Sequence, residues 1–169
     1  QAGRKQTETS PVAPGDRLSV RNPMGHIKIE VWDRPEVEIL THTTVSAKDE
    51  ARAEAFLEHV SIKVDRQPGV TRIQPVYPER KGEWEEIGPV RVDFQLRVPK
   101  RVDLDLSTAH GDIEIPEIEG AAVLKCRHGN TSVANVTGNT WCDQAHGNVE
   151  IGRAGSELTL EARHGNASV

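Results

Sequence analysis

"RHGNTSV" at Arg127–Val133 returns as "RHGNASV" at Arg163–Val169, and the same phrase is written "HGNVEI" at His146–Ile151 and "HGDIEI" at His110–Ile115. The four histidines, His110, His128, His146 and His164, stand 18 residues apart each time. Aligned on His-Gly, the positions six, four and two before the histidine read Leu104, Leu106, Thr108; Ala122, Leu124, Cys126; Thr140, Cys142, Gln144; and Leu158, Leu160, Ala162. Between them stand Asp105, Lys125, Arg127, Asp143, Glu161 and Arg163, so one face is mostly apolar and the other mostly charged. After each Gly-Asn/Asp the alternation resumes, with Ile113 and Ile115, Thr131 and Val133, Val149 and Ile151, Ala167 and Val169. A second glycine corner falls near Gly120, Gly138 and Gly155. Each unit is therefore two short strands, and a strand with one apolar face cannot bury it alone. The period predicts an all-β chain whose 102–169 region is a β-solenoid, β-helix- or β-roll-like, built of stacked 18-residue coils.

In that architecture Gly111, Gly129, Gly147 and Gly165 are corner residues, supplying the positive φ of a tight turn, and Asp112, Asn130, Asn148 and Asn166 beside them suit turn geometry. Stacked coils bring equivalent side chains to about 4.8 Å, within reach of hydrogen bonds along the stack.

Working outward, "VRVDFQLRVP" alternates cleanly, with Val90, Val92, Phe94, Leu96 and Val98 on one face. Residues 78–89 read as a charged loop, and "SIKVDRQPGVTRI" as a hairpin around Pro68-Gly69. A helix is expected over 47–60, with Ser46 as N-cap and Ala53, Phe56, Leu57 and Val60 at helical spacing. Residues 17–45 read as hairpin-linked strands broken at Asn22-Pro23 and Asp33–Pro35. Residues 1–16, polar and rich in Pro, Gly, Ser and Thr, read as a disordered leader left by a removed signal peptide. The remainder, 17–169, is expected to form a single domain: strands and the helix over 17–101, regular coils over 102–169.

Composition narrows the function. Aromatic residues are only 4% of the chain, so the core is built from Val, Ile, Leu and Ala. The net charge is −5, and the part from Leu104 onward, with nine acids against four bases, carries all of it. No basic face is left to neutralise phosphates, which argues against nucleic acid. No apolar run is long enough to span a membrane.

"LSVRNPMGHIKIEVWDRPEVEI", followed downstream by "LRVPKRVDLDLSTAHGDIEI" and further Gly-Asn/Asp coils, resembles the bacterial "putative adhesin" family. The marks are Gly-x-Ile-x-Ile at Gly25–Ile29, Trp32-Asp33 with Glu36-Val37, the Val98-Pro99 entry and the serial glycine corners, over roughly 17–169. The resemblance implies a β-solenoid domain of the cell envelope, exported to the periplasm or cell surface, with no established catalytic residues. This chain departs from it in one respect: the residue before the corner glycine is usually small and polar in the family, and here it is histidine four times.

The histidines share parity with the inward leucines, so they are expected to stack half-buried at a corner, their nitrogens bonded to backbone. Histidine is also the commonest transition-metal ligand, which makes His110, His128, His146 and His164 candidate metal ligands. Tetrahedral zinc needs nitrogens about 3.3 Å apart, so rings at the coil spacing must lean together. Calcium fits poorly, since the nonapeptide β-roll needs acidic turns and only Asp112 is acidic. Cys126 and Cys142 fall two residues out of register on adjacent coils, too far for a disulfide, and are expected as buried free thiols. No Gly-x-Ser-x-Gly or phosphate loop is written, and the acidic edge "GDIEIPEIEG" reads as a solvated face. Trp141 and Asp143, on the outward parity, are the candidate ligand contacts.

The expected function is that of a non-enzymatic exported envelope domain, without a cofactor, whose solenoid surface binds a protein or glycan partner. The alternative is a metal- or pH-responsive module acting through the histidine ladder. The flat rung at Val169 is expected to pair with further coils or with a second copy of the chain.

Overall fold

The computed structural model describes residues 1–169, the side chain of Glu83 excepted. The chain is all-β with one short helix. In order it forms β1 (Ala2–Pro11), β2 (Arg17–Met24), β3 (Ile27–Trp32), β4 (Glu36–Val45), α1 (Glu50–Glu58), β5 (Ser61–Gln67), β6 (Val70–Val76) and β7 (Val90–Pro99). The periodic region follows as four strand pairs: β8 (Asp103–His110) with β9 (Ile113–Ile118), β10 (Ala122–His128) with β11 (Thr131–Val136), β12 (Thr140–His146) with β13 (Val149–Ala154), and β14 (Leu158–His164) with β15 (Ala167–Ser168).

Two mostly parallel sheets face each other. One runs β1-β4-β7-β3-β9-β11-β13-β15, the other β14-β12-β10-β8-β2-β6-β5. Successive units pair in parallel with the sequence's own offset: Leu106 lies beside Leu124, Leu124 beside Cys142, and Cys142 beside Leu160. Between the sheets the inward rows fuse into a single core that runs from Leu18, Val20, Ile27 and Ile29 through Leu104, Leu106, Ile113 and Leu124 to Cys142, Val149 and Ile151. Each fully buried Leu or Ile contributes about 1.5–3 kcal/mol relative to exposure, so the stack is held by many equal small gains.

Three expectations are corrected. The strands of 17–45 are not hairpin-linked. Strand β2 pairs in parallel with β8, Leu18 beside Leu104, and β3 with β9, Ile27 beside Ile113, an offset of 86 residues instead of 18. Arg17–Trp32 is thus a first unit of the same stack, cornered at Gly25, and the segment up to β7 is an insertion that extends both sheets beyond it. Strands β3 and β4 do not pair at all, because β7 lies between them. The chain's first residues are not disordered either: β1 runs antiparallel along β4 from Ala2 beside Val45 to Pro11 beside Glu36. Its polar side chains hide it from a hydrophobic-pattern reading, since backbone hydrogen bonds hold it and only Ala2 and Ser10 are buried. Lastly, the helix is shorter than 47–60. Ser46 donates its N–H to Pro89 and accepts from Gly88, so its backbone is committed to a strand-like ladder and cannot begin a helix. The cap is Asp49, whose carboxylate accepts from the Ala51 N–H at 3.0 Å.

The helix covers a second, smaller core in which Ala53, Phe56 and Leu57 meet Ala2, Val45, Val60, Ile87 and Val90. The hairpin at Pro68-Gly69 joins β5 and β6 as expected, Gln67 beside Val70. Among the described residues no helix is long and apolar enough to cross a membrane.

Candidate functional site

The His-Gly-Asn/Asp corner is where the sequence concentrates its unusual residues, and three side-chain rows run through it. The outermost is the histidine row: His110, His128, His146 and His164 are register partners on adjacent strands, with Met24 next to His110. The second row lies beside it. The Asp112 side chain accepts from the Asn130 N–H at 2.8 Å, Asn130 from Asn148 at 2.9 Å, and Asn148 from Asn166 at 3.1 Å. The row extends past the written motif, because His26 Nδ1 accepts from the Asp112 N–H at 2.8 Å and Asp93 accepts from the His26 N–H at 2.8 Å. Each side chain therefore satisfies a backbone donor of the next unit, which is a different use of these residues from bonding amide to amide.

The third row faces inward and its role was not legible in the sequence. At Gly25, Gly111 and Gly129 the corner carbonyl turns into the core and takes a hydrogen bond from the residue two before the histidine of the next unit. Asn22, two before Met24, makes the same bond to the β7 carbonyl of Val92. Asn22 Nδ2 donates to Val92 at 2.8 Å, Thr108 Oγ1 to Gly25 at 3.2 Å, Cys126 Sγ to Gly111 at 3.4 Å, and Gln144 Nε2 to Gly129. Four chemically different residues do one job, so no residue-type signal marks them; only their shared position does. Cys126 and Cys142 are both buried and free, two residues out of register as expected. Burial pushes the Cys126 thiol up, and burial, then Cys126 and Asp143, push Cys142 to about 12, so both stay protonated and Cys126 remains a donor.

The four imidazoles stack with centroids 4.8, 4.7 and 4.8 Å apart and planes within 8° of parallel. They are exposed, which corrects the half-buried expectation. Alternation does place them on the inner side, but the strand ends there, and the inward row of Thr108, Cys126 and Gln144 has already closed the core. The pKa of His128 is pushed below the ordinary histidine range, first by loss of hydration between the stacked rings, then by His110, His146 and Arg127. The unfolded chain therefore takes up this proton first. Stability is full above about pH 6.5, the unfolded value, and is lost as pH falls towards the depressed folded one. A melting temperature that drops between about pH 6.5 and 5, with a shallower drop in His128→Asn, is the expected result. Identical pH profiles for the two proteins would remove the ring from any part in acid sensitivity.

On the outer face of the seven-stranded sheet, Trp141 lies half-buried between its register neighbours Val123 and Thr159. The Lys125 ammonium sits over its ring at 5.6 Å. Asp143 stands two residues along and receives Arg163 at 3.1 Å. A shallow groove of about 350 Å³ lies beside them, lined among others by Ser107, Lys125, Arg127, Asp143, Ala145 and Arg163. The structure thus brings Trp141 and Asp143 onto one patch and leaves the histidine row along the neighbouring corner. Among the described residues no three His, Cys, Asp or Glu side chains converge on a point that could hold a metal ion.

The fold has a counterpart among solved structures. The chain is similar to a putative cell adhesion protein from Clostridium sporogenes, at a TM-score of 0.53 and 10% identity, over 98% of both chains. A putative adhesin from Parabacteroides merdae is matched over 98% of this chain and 72% of that one, at 10% identity and a TM-score of 0.38. The name of the Clostridium structure agrees with the resemblance read from the sequence, and that likeness establishes a shared fold. No family model matches the chain, and no curated relative does.

Proposed function

We propose that this protein is an exported domain of the bacterial cell envelope that binds a protein or glycan partner and catalyses no reaction. In this reading the stacked units are a β-solenoid, with 18-residue coils and two faces, whose rigidity is its use. A sheet buried on one side presents the other as a flat array of side chains at fixed spacing. The observation that carries the proposal is the patch of Trp141, Lys125, Asp143 and Arg163 beside its groove. An aromatic face flanked by charged hydrogen-bonding groups suits a sugar ring or an extended polar chain, since it offers apolar area and polar anchors together. The cell-adhesion name of the Clostridium structure belongs to the same class of function, and the envelope location follows from the family resemblance.

The test is binding of the purified chain to an array of cell-surface polysaccharides, with Trp141→Ala beside it. Wild type is expected to bind at least one glycan, and Trp141→Ala to lose about tenfold or more of that affinity at an unchanged melting temperature. Glycan binding that ignores the substitution would move the site off this face, and binding to none would leave only protein partners.

A further inference from the structure

We propose that the exposed histidine row binds divalent transition-metal ions, copper ahead of zinc, with each ion held between the imidazoles of two adjacent units. The site lies along the corner beside the proposed partner-binding face and uses none of that face's side chains as ligands.

The row has what such a site needs and little else to do. Among the described residues none of the four rings donates or accepts a hydrogen bond, because the corner's backbone groups are already satisfied by the Asp/Asn row and the inward row. At neutral pH their lone pairs are therefore free. All four rings share one orientation, since adjacent planes differ by 7°, 4° and 8° and centroids by 4.7–4.8 Å. Metal–nitrogen bonds of about 2.0–2.1 Å place two ligating nitrogens about 3.3 Å apart in a tetrahedral site and about 4 Å apart when they lie opposite each other. Parallel rings are slightly too far apart for either, and their in-plane lone pairs run side by side, so two neighbouring rings must also tilt toward each other to share an ion. Each nitrogen must close the gap by less than about 1 Å, which an exposed side chain with free χ rotation can do.

Two neighbouring side chains are the limit. No third His, Cys, Asp or Glu converges on the same point among the described residues, so the remaining positions of the ion go to water. Four rings in one row then offer two separate pairs, His110 with His128 and His146 with His164. Imidazole ligands favour Cu²⁺ over Zn²⁺ by the ordinary ligand-field order. The flanking charges are mixed. Arg127 and Arg163 disfavour a cation, Arg163 less so because Asp143 holds it, and Asp112 favours one at the first pair.

Adjacency, and not the number of histidines, is what the geometry requires, and that sets the experiment. The full chain is titrated calorimetrically with CuCl2 and with ZnCl2, alongside two double variants that each remove two rings. His128→Asn/His146→Asn leaves His110 and His164, which are not neighbours. His110→Asn/His164→Asn leaves the adjacent pair His128 and His146. Wild type is expected to bind up to two ions, the second variant one ion at similar affinity, and the first variant about tenfold or more weaker, since chelation is lost. Equal binding by the two variants, or wild-type binding no tighter than that of the first variant, overturns the proposal. If either variant fails to fold, the Cu²⁺ electron paramagnetic resonance spectrum of wild type decides: coupling to two imidazole nitrogens per ion is expected, and coupling to one overturns it.

Discussion

Gly129→Ala is expected to unfold the protein or to lower its stability by more than about 4 kcal/mol, a large share of what a domain of this size has. Gly129 has φ +145°, and a Cβ there would overlap the carbonyl oxygen of Gly111 on the preceding unit. The obstacle is backbone, so no side-chain rotation relieves it. To make room the two corners would have to separate, breaking the Gly111 N–H bond to His128 at 2.9 Å and the Asn130 N–H bond to Asp112 at 2.8 Å. Units above and below would follow, because their register is set through these corners. Gly69→Ala isolates the conformational part. Gly69 also has a positive φ, +78°, but nothing lies within 4 Å of where its Cβ would stand. That substitution should cost only the conformational strain, about 1–2 kcal/mol. Urea denaturation of the two variants measures the difference. Equal losses would mean that the close approach of neighbouring corners contributes nothing, and that glycine is there for its φ alone.

Gln144→Leu is the second large effect, expected to cost about 2–5 kcal/mol although it exchanges a buried residue for an apolar one of similar size. Gln144 is fully buried, and its amide is fully used. Nε2 donates to the Gly129 and His146 carbonyls, and Oε1 accepts from Thr131 Oγ1 at 2.8 Å. Leucine would leave the Gly129 carbonyl and the Thr131 hydroxyl without partners, at about 1–3 kcal/mol for each group. The His146 carbonyl keeps its bond from the Gly129 N–H and loses less. The transfer gain of the added apolar surface offsets only part of this. Chemical denaturation is the measurement, and a variant as stable as wild type would show that the inward donor row is not needed for the stack to close. The row's last member, Ala162, donates nothing and is exposed, so the dependence is expected in the interior of the stack only.

The repeating part of this protein is legible in its residues alone. An 18-residue period with one apolar face per strand admits few other solutions, and the inward residues, the corner glycines and the two free cysteines fall where the alignment on His-Gly puts them. These features rest on local periodicity, which a single sequence carries in full. The rest exists only in the folded chain. Arg17–Trp32 joins the stack through partners 86 residues away, and a long-range parallel pairing leaves no local mark that separates it from a hairpin. Strand β1 is held by backbone bonds at a sheet edge, where side chains need show no pattern. His110, His128, His146 and His164 have the parity of core residues and yet lie exposed, because alternation says which side a residue faces but not where the facing sheet ends. The inward donors, Asn22, Thr108, Cys126 and Gln144, share neither residue type nor size. What unites them is a neighbouring backbone carbonyl that must be satisfied, and that demand exists only once the units are stacked.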